Sequence, residues 1–406
     1  MPKVSERSLK MPASPIRRLM PFAEEAVRRG TVIYHLNIGQ PDVESPREFW
    51  DAVQNTGLRY LEYTHSAGRT DLREKVAARY RDMGIEVEAS QVMVCTAGSE
   101  ALAFAMMACL NPGDEVILPE PFYANYLSFA MSAGVEIMPL ETRIEDGFAL
   151  PAVSEFRAKL TPRTKAILIN NPGNPTGTIY DPAQLDGLRQ LALERNLFLI
   201  SDEVYREFNY TSSPVLSILQ LEGLDEHAVM VDSVSKRFSL CGARIGFLVS
   251  RNKAVNENAL KYAQARLAPP LLEQLGVLGA LDAPKSYFDQ VREEYRTRRD
   301  LLVSRLRAMS GVVCPLIDGA FYAMVELPID DSDRFCRWLL ESFDHRGETV
   351  MLSPATGFYS RPELGLRQVR IAYVLEKDKL NRAMDCLEAA LQTYPGRVNV
   401  TAAAKS

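Results

Sequence analysis

The feature that most constrains the fold of this chain is a series of short, almost wholly apolar segments that alternate with amphipathic ones. A strand with one buried face alternates apolar and polar residues, whereas a strand covered on both faces does not. The chain therefore predicts an α/β fold, a three-layer sandwich of helices around a mostly parallel sheet. The apolar runs cover residues 92–95, 115–118, 166–170, 197–201, 229–232 and 245–250.

The segments between these runs carry helix start and stop signals. Asp181 and Pro182 supply a cap and a first-turn proline, Gln184 completes a capping box, and Asn196 ends the pattern. Thr70 can cap an earlier amphipathic segment in the same way. We therefore predict helices that connect the strands and cover both faces of the sheet.

The pattern changes after about residue 281, where a long charged helical stretch precedes an extended run and a last amphipathic helix. A chain of 406 residues is too long for one small core, which favours two lobes. We predict a large domain over residues 46–281 and a smaller α+β domain that combines residues 1–45 with 282–395. Residues 396–406 lack apolar periodicity and are expected to form a flexible tail.

Charge and composition argue against several classes of partner. The net charge of −5 comes without any basic run, so a nucleic-acid partner is not expected. No segment approaches the about 20 apolar residues of a membrane span, and the N-terminus lacks a secretory h-region. The six cysteines form no C-x-x-C pair, which indicates neither a metal site nor a disulfide framework. We expect a cytoplasmic protein.

Two charged residues lie at or shortly after the ends of apolar runs. Asp202 opens the tetrapeptide DEVY, and a carboxylate at the end of a parallel strand can face a bound cation, although a lone Asp there is more often a cap or a surface acid. Lys236 is preceded by Ser233 and Ser235 and followed by Arg244, a set that can clamp a phosphate beside a reactive amine. Taken alone, such a lysine is usually a solvated charge.

Two glycine-containing turns follow other strands. The sequence NNPGNPTG, at 170–177, forms a rigid non-helical turn, which needs no function of its own. The sequence TAGSEAL, at 96–102, ends a strand and starts an apolar helix, where Gly98 and Ser99 suit a phosphate. Taken alone, Ser99 is more simply explained as an N-cap.

In this order and spacing, the motifs resemble those of pyridoxal-phosphate-dependent aminotransferases of the aspartate aminotransferase superfamily, classes I and II with fold type I. The resemblance extends from LNIGQPD at 36–42 to RQVRIAY at 367–373, and its most specific parts are NNPGNPTG, DEVY and SVSKRFSLCGARIG. It implies ping-pong exchange of an amino group between an L-α-amino acid and a 2-oxo acid. Aspartate is a first guess for the donor.

The resemblance also implies roles at the cofactor ring. Lys236 resembles the lysine that binds pyridoxal phosphate as a Schiff base and then moves a proton between the substrate Cα and the cofactor C4′. Asp202 would keep the pyridine nitrogen protonated, so that the ring accepts electrons. Tyr205 and Asn174 would hydrogen-bond the 3-oxygen of the ring, and Tyr123 would stack on it.

A phosphate site, a substrate site and a second subunit are implied as well. Arg370 matches the arginine that grips the substrate α-carboxylate, and Gly39 and Asn174 match positions beside the substrate. Tyr63 resembles a tyrosine that reaches the phosphate of the neighbouring subunit, which implies a homodimer with composite active sites. The phosphate would be held by Ala97, Gly98, Ser99, Ser233, Ser235 and Arg244.

The sequence does not determine which residue recognises the substrate side chain. In one branch of the aspartate enzymes an arginine does so, but Ala263 stands at that position here. Arg266 could cross a dimer interface to an acidic substrate or could pair on the surface. His65, Arg17 and Arg18 are other possible readers, or ordinary surface and packing residues.

The sequence motifs are also compatible with two other functions. A carbon–sulfur β-lyase or an aminocyclopropane-carboxylate synthase-like enzyme would use the same lysine, aspartate and arginine. A cofactor-sensing transcription regulator would need a DNA-binding module before the scaffold, and we expect no room for one ahead of LNIGQPD.

Overall fold

The computed structural model describes residues 2–12, 14–15 and 17–398 of the chain. Its strands are β1 Val32–His35, β2 Val92–Thr96, β3 Glu115–Glu120, β4 Glu136–Glu141, β5 Thr164–Asn170, β6 Phe198–Asp202, β7 Ala228–Ser233, β8 Ile245–Val249, β9 Tyr322–Glu326, β10 Glu348–Met351, β11 Ser353–Pro354 and β12 Gln368–Ala372. Its helices are α1 Glu6–Lys10, α2 Met20–Arg28, α3 Arg47–Gln54, α4 Thr70–Asp82, α5 Ala97–Cys109, α6 Asn125–Ala133, α7 Val153–Lys159, α8 Pro182–Arg195, α9 Val234–Arg237, α10 Lys253–Arg266, α11 Leu271–Ala280, α12 Lys285–Ala308, α13 Ser332–Glu341 and α14 Lys377–Thr393.

A mixed, mostly parallel sheet forms the centre of the molecule, in the strand order β2-β8-β7-β6-β5-β3-β4. Only β8 runs antiparallel to its neighbours, so β2, β5, β6 and β7 all end at the same edge. Helices α4, α8 and α11 bury apolar side chains on one face, and α5, α6 and α10 on the other. The predicted α/β sandwich is confirmed, and each of the six apolar runs forms a strand of this sheet.

Strand β4 was not predicted from the sequence. It lies at the edge of the sheet, is only partly buried, and contains Pro139. Proline lacks a backbone N–H and is tolerated in a sheet mainly at an edge, so its presence weakened the strand pattern.

The predicted cap residues are correct for α8, and the predicted N-cap of α4 is wrong by one residue. Asp181 accepts a hydrogen bond from the Gln184 amide at 2.9 Å, and Asn196 ends α8 in the left-handed conformation, as predicted. Thr70 was expected to cap α4, but it is the first helical residue, and Arg69 occupies the cap position.

A second region combines both ends of the chain. One apolar core joins residues of α2 and β1 to residues of α12, α13 and α14, and the short sheets β1-β10 and β11-β12-β9 lie against it. The domain bounds at residues 46 and 281 stay a prediction. In the predicted tail, Gly396 and Val398 hydrogen-bond to backbone near residue 329, and residues 399–406 lie outside the described part.

None of the helices described here is both long and apolar enough to span a bilayer.

Candidate active site

The predicted site residues meet at one edge of the central sheet. A cavity of about 550 Å³ opens beyond the last residues of β2, β5, β6 and β7. In doubly wound sheets ligands bind beyond the carboxyl ends of the strands, so this edge is the expected place for one. The cavity is lined by every predicted site residue except Tyr63: Lys236, Asp202, Tyr205, Ala97, Gly98, Ser99, Tyr123, Asn174, Ser233, Ser235, Arg244, Gly39 and Arg370.

Asp202 is a buried carboxylate at the end of β6. It accepts a 2.8 Å hydrogen bond from the Tyr126 hydroxyl, and no cation pairs with it among the described residues. Burial raises the pKa of Asp202 to about 6, and the hydrogen bond from Tyr126 opposes part of that rise. An acid in this setting is stabilised in its charged form by a cation placed in the cavity.

The raised pKa of Asp202 makes a prediction for the cofactor-free protein. Between about pH 4 and about pH 6, the folded chain keeps a proton that the unfolded chain releases, so stability falls as pH rises through this window. The shift corresponds to about 3 kcal/mol at neutral pH. Urea unfolding at pH values from 4 to 8 should show this loss in the wild type and not in Asp202→Asn. Parallel pH profiles for the two proteins would contradict the assignment.

Lys236 lies in the one-turn helix α9, directly after β7. Its Nζ donates to the Gly39 carbonyl oxygen at 2.8 Å, which brings the amine to the LNIGQPD segment. Behind it, Arg237 forms a buried ion pair with Asp232, and the Tyr80 hydroxyl donates to Asp232 at 2.7 Å. These contacts fasten α9 to the end of the strand, so the lysine stem starts from a fixed position.

A phosphate-sized cradle is formed where α5 begins. The helix starts at Ala97, so Ser99 lies in the first turn and is not the N-cap. Gly246 on β8 allows this close approach, because a Cβ there would lie 2.4 Å from the Gly98 nitrogen. Free amides at a helix start and the guanidinium of Arg244, which lines the same cavity, suit a dianion.

Three tyrosines also line the cavity, namely Tyr123, Tyr205 and Tyr322. The Tyr205 hydroxyl lies 3.0 Å from that of Tyr322, and burial raises the pKa of Tyr205 well above its usual range. Tyr205 therefore stays protonated at neutral pH. Asn125 donates to the Tyr123 hydroxyl at 2.8 Å, and burial raises the pKa of Tyr123 to about 12.

Arg370 is a fully buried arginine that lines the cavity. Its guanidinium donates to Asn174 Oδ1 at 3.0 Å and to the Asn37 carbonyl oxygen at 2.7 Å. The ring centroids of Tyr322 and Phe358 lie 4.5 and 4.9 Å from the guanidinium carbon. The side chain is thus held in one orientation, yet no carboxylate neutralises it among the described residues. A planar fork of this kind suits an incoming carboxylate.

Gly39 owes its role to its missing side chain. A Cβ at this position would lie 1.7 Å from the Tyr322 hydroxyl oxygen, so any other residue would displace that buried ring. The glycine backbone consequently borders the cavity beside Lys236.

The other predicted residues lie elsewhere. Tyr63 is 78% exposed. Arg266 donates to Glu100 of its own chain at 3.1 Å, so the surface-pairing alternative fits this residue. The ring of exposed His65 accepts from the Ala67 amide. Arg17 lines the cavity, whereas Arg18 does not.

Sequence reasoning missed several residues of the site. Tyr126 follows Tyr123 by three residues in PFYANY, a spacing that could have indicated it. Nothing in the sequence pattern pointed to Tyr322, which comes to Tyr205 from another lobe. The remaining cavity residues not predicted are Ser14, Ile38, Gln40, Leu102, Asn125, Asn170, Val204 and Cys241.

Pyridoxal phosphate fits this residue set. The buried carboxylate of Asp202, which has no cationic partner among the described residues, suits a cation, the α5 cradle suits an anion, and Lys236 lines the same cavity. In pyridoxal phosphate, the protonated pyridine nitrogen suits Asp202, the phosphate suits the α5 cradle, and the aldehyde carbon suits the amine of Lys236. Fold and cavity together are those of a pyridoxal-phosphate-dependent enzyme.

Comparison with known proteins identifies the family. Residues 31–387 match the family described as aminotransferase class I and II, and the chain belongs to it. It is therefore a pyridoxal-phosphate-dependent transaminase.

Relatives cover almost the whole chain. The aspartate aminotransferase of Thermotoga maritima is 32% identical over 96% of this chain and 100% of its own length. The aspartate/prephenate aminotransferase of Thermus thermophilus is 31% identical over 89% of this chain and 92% of its own. Among solved structures, the Thermus thermophilus aspartate aminotransferase with maleate has a TM-score of 0.88 at 30% identity, covering 96% of this chain and 100% of that one.

Proposed function

We propose that this transaminase carries out a two-stage ping-pong exchange in the cavity at the sheet edge, with L-aspartate as the first donor to test. The observation that carries the proposal is the meeting of Lys236, Asp202 and Arg370 in one cavity. Relatives named aspartate aminotransferase support the choice of donor.

Lys236, Asp202 and the aromatic side chains would hold the cofactor ring. Pyridoxal phosphate supplies an aldehyde that takes up an amino group and a ring that accepts electrons from Cα. Asp202 would hold the proton on the ring nitrogen, and burial strengthens that pairing. Tyr205 and Asn174 would hydrogen-bond the 3-oxygen, and Tyr123 would stack on the ring.

The phosphate would lie at the start of α5. Backbone amides of the first turn, hydroxyls and one guanidinium surround that corner of the cavity, and together they can satisfy three phosphate oxygens. The residues proposed to bind it are Ala97, Gly98, Ser99, Ser233, Ser235 and Arg244.

The substrate would lie between Gly39 and Arg370. Arg370 would grip the α-carboxylate and so orient the Cα–H bond towards Lys236. The Lys236 amine, which reaches the Gly39 carbonyl in this structure, would remove the proton from Cα and return it at C4′. Asn174, bonded to Arg370, would help to position the same carboxylate.

Replacing Arg370 tests the substrate site. Arg370→Lys keeps the charge but loses the two-pronged hydrogen bonding, so we expect kcat/KM for the amino acid to fall about 30-fold or more. The cofactor absorbance of the resting enzyme should be unchanged. Steady-state kinetics measure kcat/KM, and a spectrum measures the cofactor absorbance. An unchanged kcat/KM would show that Arg370 does not bind the substrate.

We propose that the active protein is a homodimer with composite sites, located in the cytoplasm. The described cysteines are all free thiols, as expected in a reducing compartment. Exposed aromatic and aliphatic side chains are concentrated in one part of the sequence, which is typical of an interface. They are Trp50, Leu58, Tyr60, Leu61 and Tyr63.

Mixing two defective subunits tests the composite site. If Tyr63 completes the phosphate site of its partner, Tyr63→Ala should be impaired, and so should Lys236→Ala. A hybrid dimer of the two variants contains one intact site, so co-expression should restore activity that neither homodimer has. Failure to restore activity in a verified hybrid dimer would show that Tyr63 serves its own subunit.

A half-reaction screen tests the reaction and the donor together. Each of the twenty amino acids is added to the holoenzyme, and the cofactor spectrum is followed before and after addition of a 2-oxo acid. Return of the spectrum only with the 2-oxo acid indicates transfer. Release of pyruvate and ammonia from cystathionine without transfer would indicate the β-lyase instead.

A further inference from the structure

The charges that line the cavity leave one cation without a role. The cofactor and the α-carboxylate account for Lys236, Asp202, Arg244 and Arg370 under the proposed function. Arg17 is the one further charged residue that lines the cavity in the described part of the chain. It has no carboxylate partner among the described residues. With the other groups assigned, its charge is available to a second anionic group of the substrate.

Arg17 is held at the cavity by the residues around it. Its amide donates to the Ser14 carbonyl oxygen at 3.1 Å, and Leu19 and Pro15 are buried on either side. Pro15 packs directly on Gly357, where a Cβ would lie 2.5 Å from the proline Cβ. The backbone that carries Arg17 is therefore fixed, while its side chain remains exposed to the cavity.

The wall that anchors Arg17 also supports Arg370. Arg18 donates to Thr356 at 3.0 Å and forms an ion pair with Asp333. Phe358, two residues after Thr356, packs against the Arg370 guanidinium. The turn at residues 355–358 thus contacts both the segment that carries Arg17 and the guanidinium of Arg370.

The other arginine considered as a side-chain reader is already engaged. Arg266 is paired with Glu100, and its Nη2 donates to the Val94 carbonyl oxygen. Moving it would leave the partly buried Glu100 without its cation, which is costly.

We propose that Arg17 reads a second carboxylate, so that the preferred substrates are dicarboxylic amino acids and dicarboxylic 2-oxo acids. The inference rests on the proposed function. Arg370 fixes the α-carboxylate, and Arg17 selects for the distal one by charge and by its two-pronged donor geometry. Arg17 is a specificity-determining residue, so its loss should change the ratio between substrates and leave the chemistry intact.

The test compares a dicarboxylic with a monocarboxylic substrate. In Arg17→Ala, we expect kcat/KM for L-aspartate to fall about 30-fold or more, while that for L-alanine changes about 3-fold at most. Succinate, followed by the cofactor spectrum of the holoenzyme, should bind more weakly by a similar factor, and propanoate should be unaffected. Arg17→Lys should restore part of the preference.

Arg28→Ala is the control, because Arg28 is an exposed arginine on α2 that pairs with Glu25 and does not line the cavity. It should keep the wild-type ratio of aspartate to alanine. Equal losses for both substrates in Arg17→Ala, or an unchanged ratio, would overturn the inference. A wild-type enzyme that transfers nitrogen from no amino acid would instead overturn the proposed function.

Discussion

Lys236→Ala should bind pyridoxal phosphate but lose about 10⁴-fold in turnover, because one amine both bonds the cofactor and transfers the Cα proton. The alanine side chain can do neither. Cofactor affinity should survive in part, since the α5 cradle and Asp202 are untouched. Single-turnover spectra with L-aspartate measure the rate, and equilibrium dialysis measures the affinity.

Lys253→Ala provides the comparison for this variant. Lys253 lies on α10, where its side chain is 88% exposed and pairs only with Glu257, so activity should be unaffected. Added methylamine should restore part of the rate in Lys236→Ala, because a small free amine can enter the vacated space and accept the proton. A Lys236→Ala enzyme with wild-type turnover would show that another group moves the proton.

Asp202→Asn should lower kcat by about 10²- to 10³-fold, the usual cost of removing one preorganised charge from a buried site. The amide cannot hold a proton on the ring nitrogen, so the ring accepts electrons less well. The Tyr126 hydrogen bond can persist with the amide oxygen, which limits structural disturbance. Stopped-flow half-reactions with L-aspartate give the rate of the chemical step.

Asp186→Asn is the control for that loss, because Asp186 is an exposed acid that pairs with Arg189 on α8. Its kcat should match the wild type. If Asp202→Asn also turned over at the wild-type rate, the buried carboxylate would have no part in the electron sink.

The sheet and the strand-end residues could be predicted because both depend on local sequence. Strands buried on both faces appear as unbroken apolar runs; Asp202 directly follows one of them, and Lys236 lies four residues after another. The edge strand β4 did not give such a run, because it is half-buried and contains Pro139.

Contacts between distant parts of the chain could not be predicted in this way. The Tyr205–Tyr322 pair joins residues 117 positions apart, and the Arg266–Glu100 pair joins residues 166 apart. The first pair depends on how the second region packs against the sheet, and the second on how α10 packs against α5, and no local pattern encodes either. The sequence alone therefore leaves two roles for Arg266, and its contact with Glu100 fits surface pairing.

The most direct test of the central claim is to find the lysine that bonds the cofactor. The holoenzyme is reduced with borohydride and digested, and the phosphopyridoxyl group is located by mass spectrometry. We expect the added mass on Lys236, at one group per subunit, and loss of the visible absorbance. The same mass on another lysine, such as Lys253 or Lys261, or an unlabelled protein that retains activity, would contradict the account.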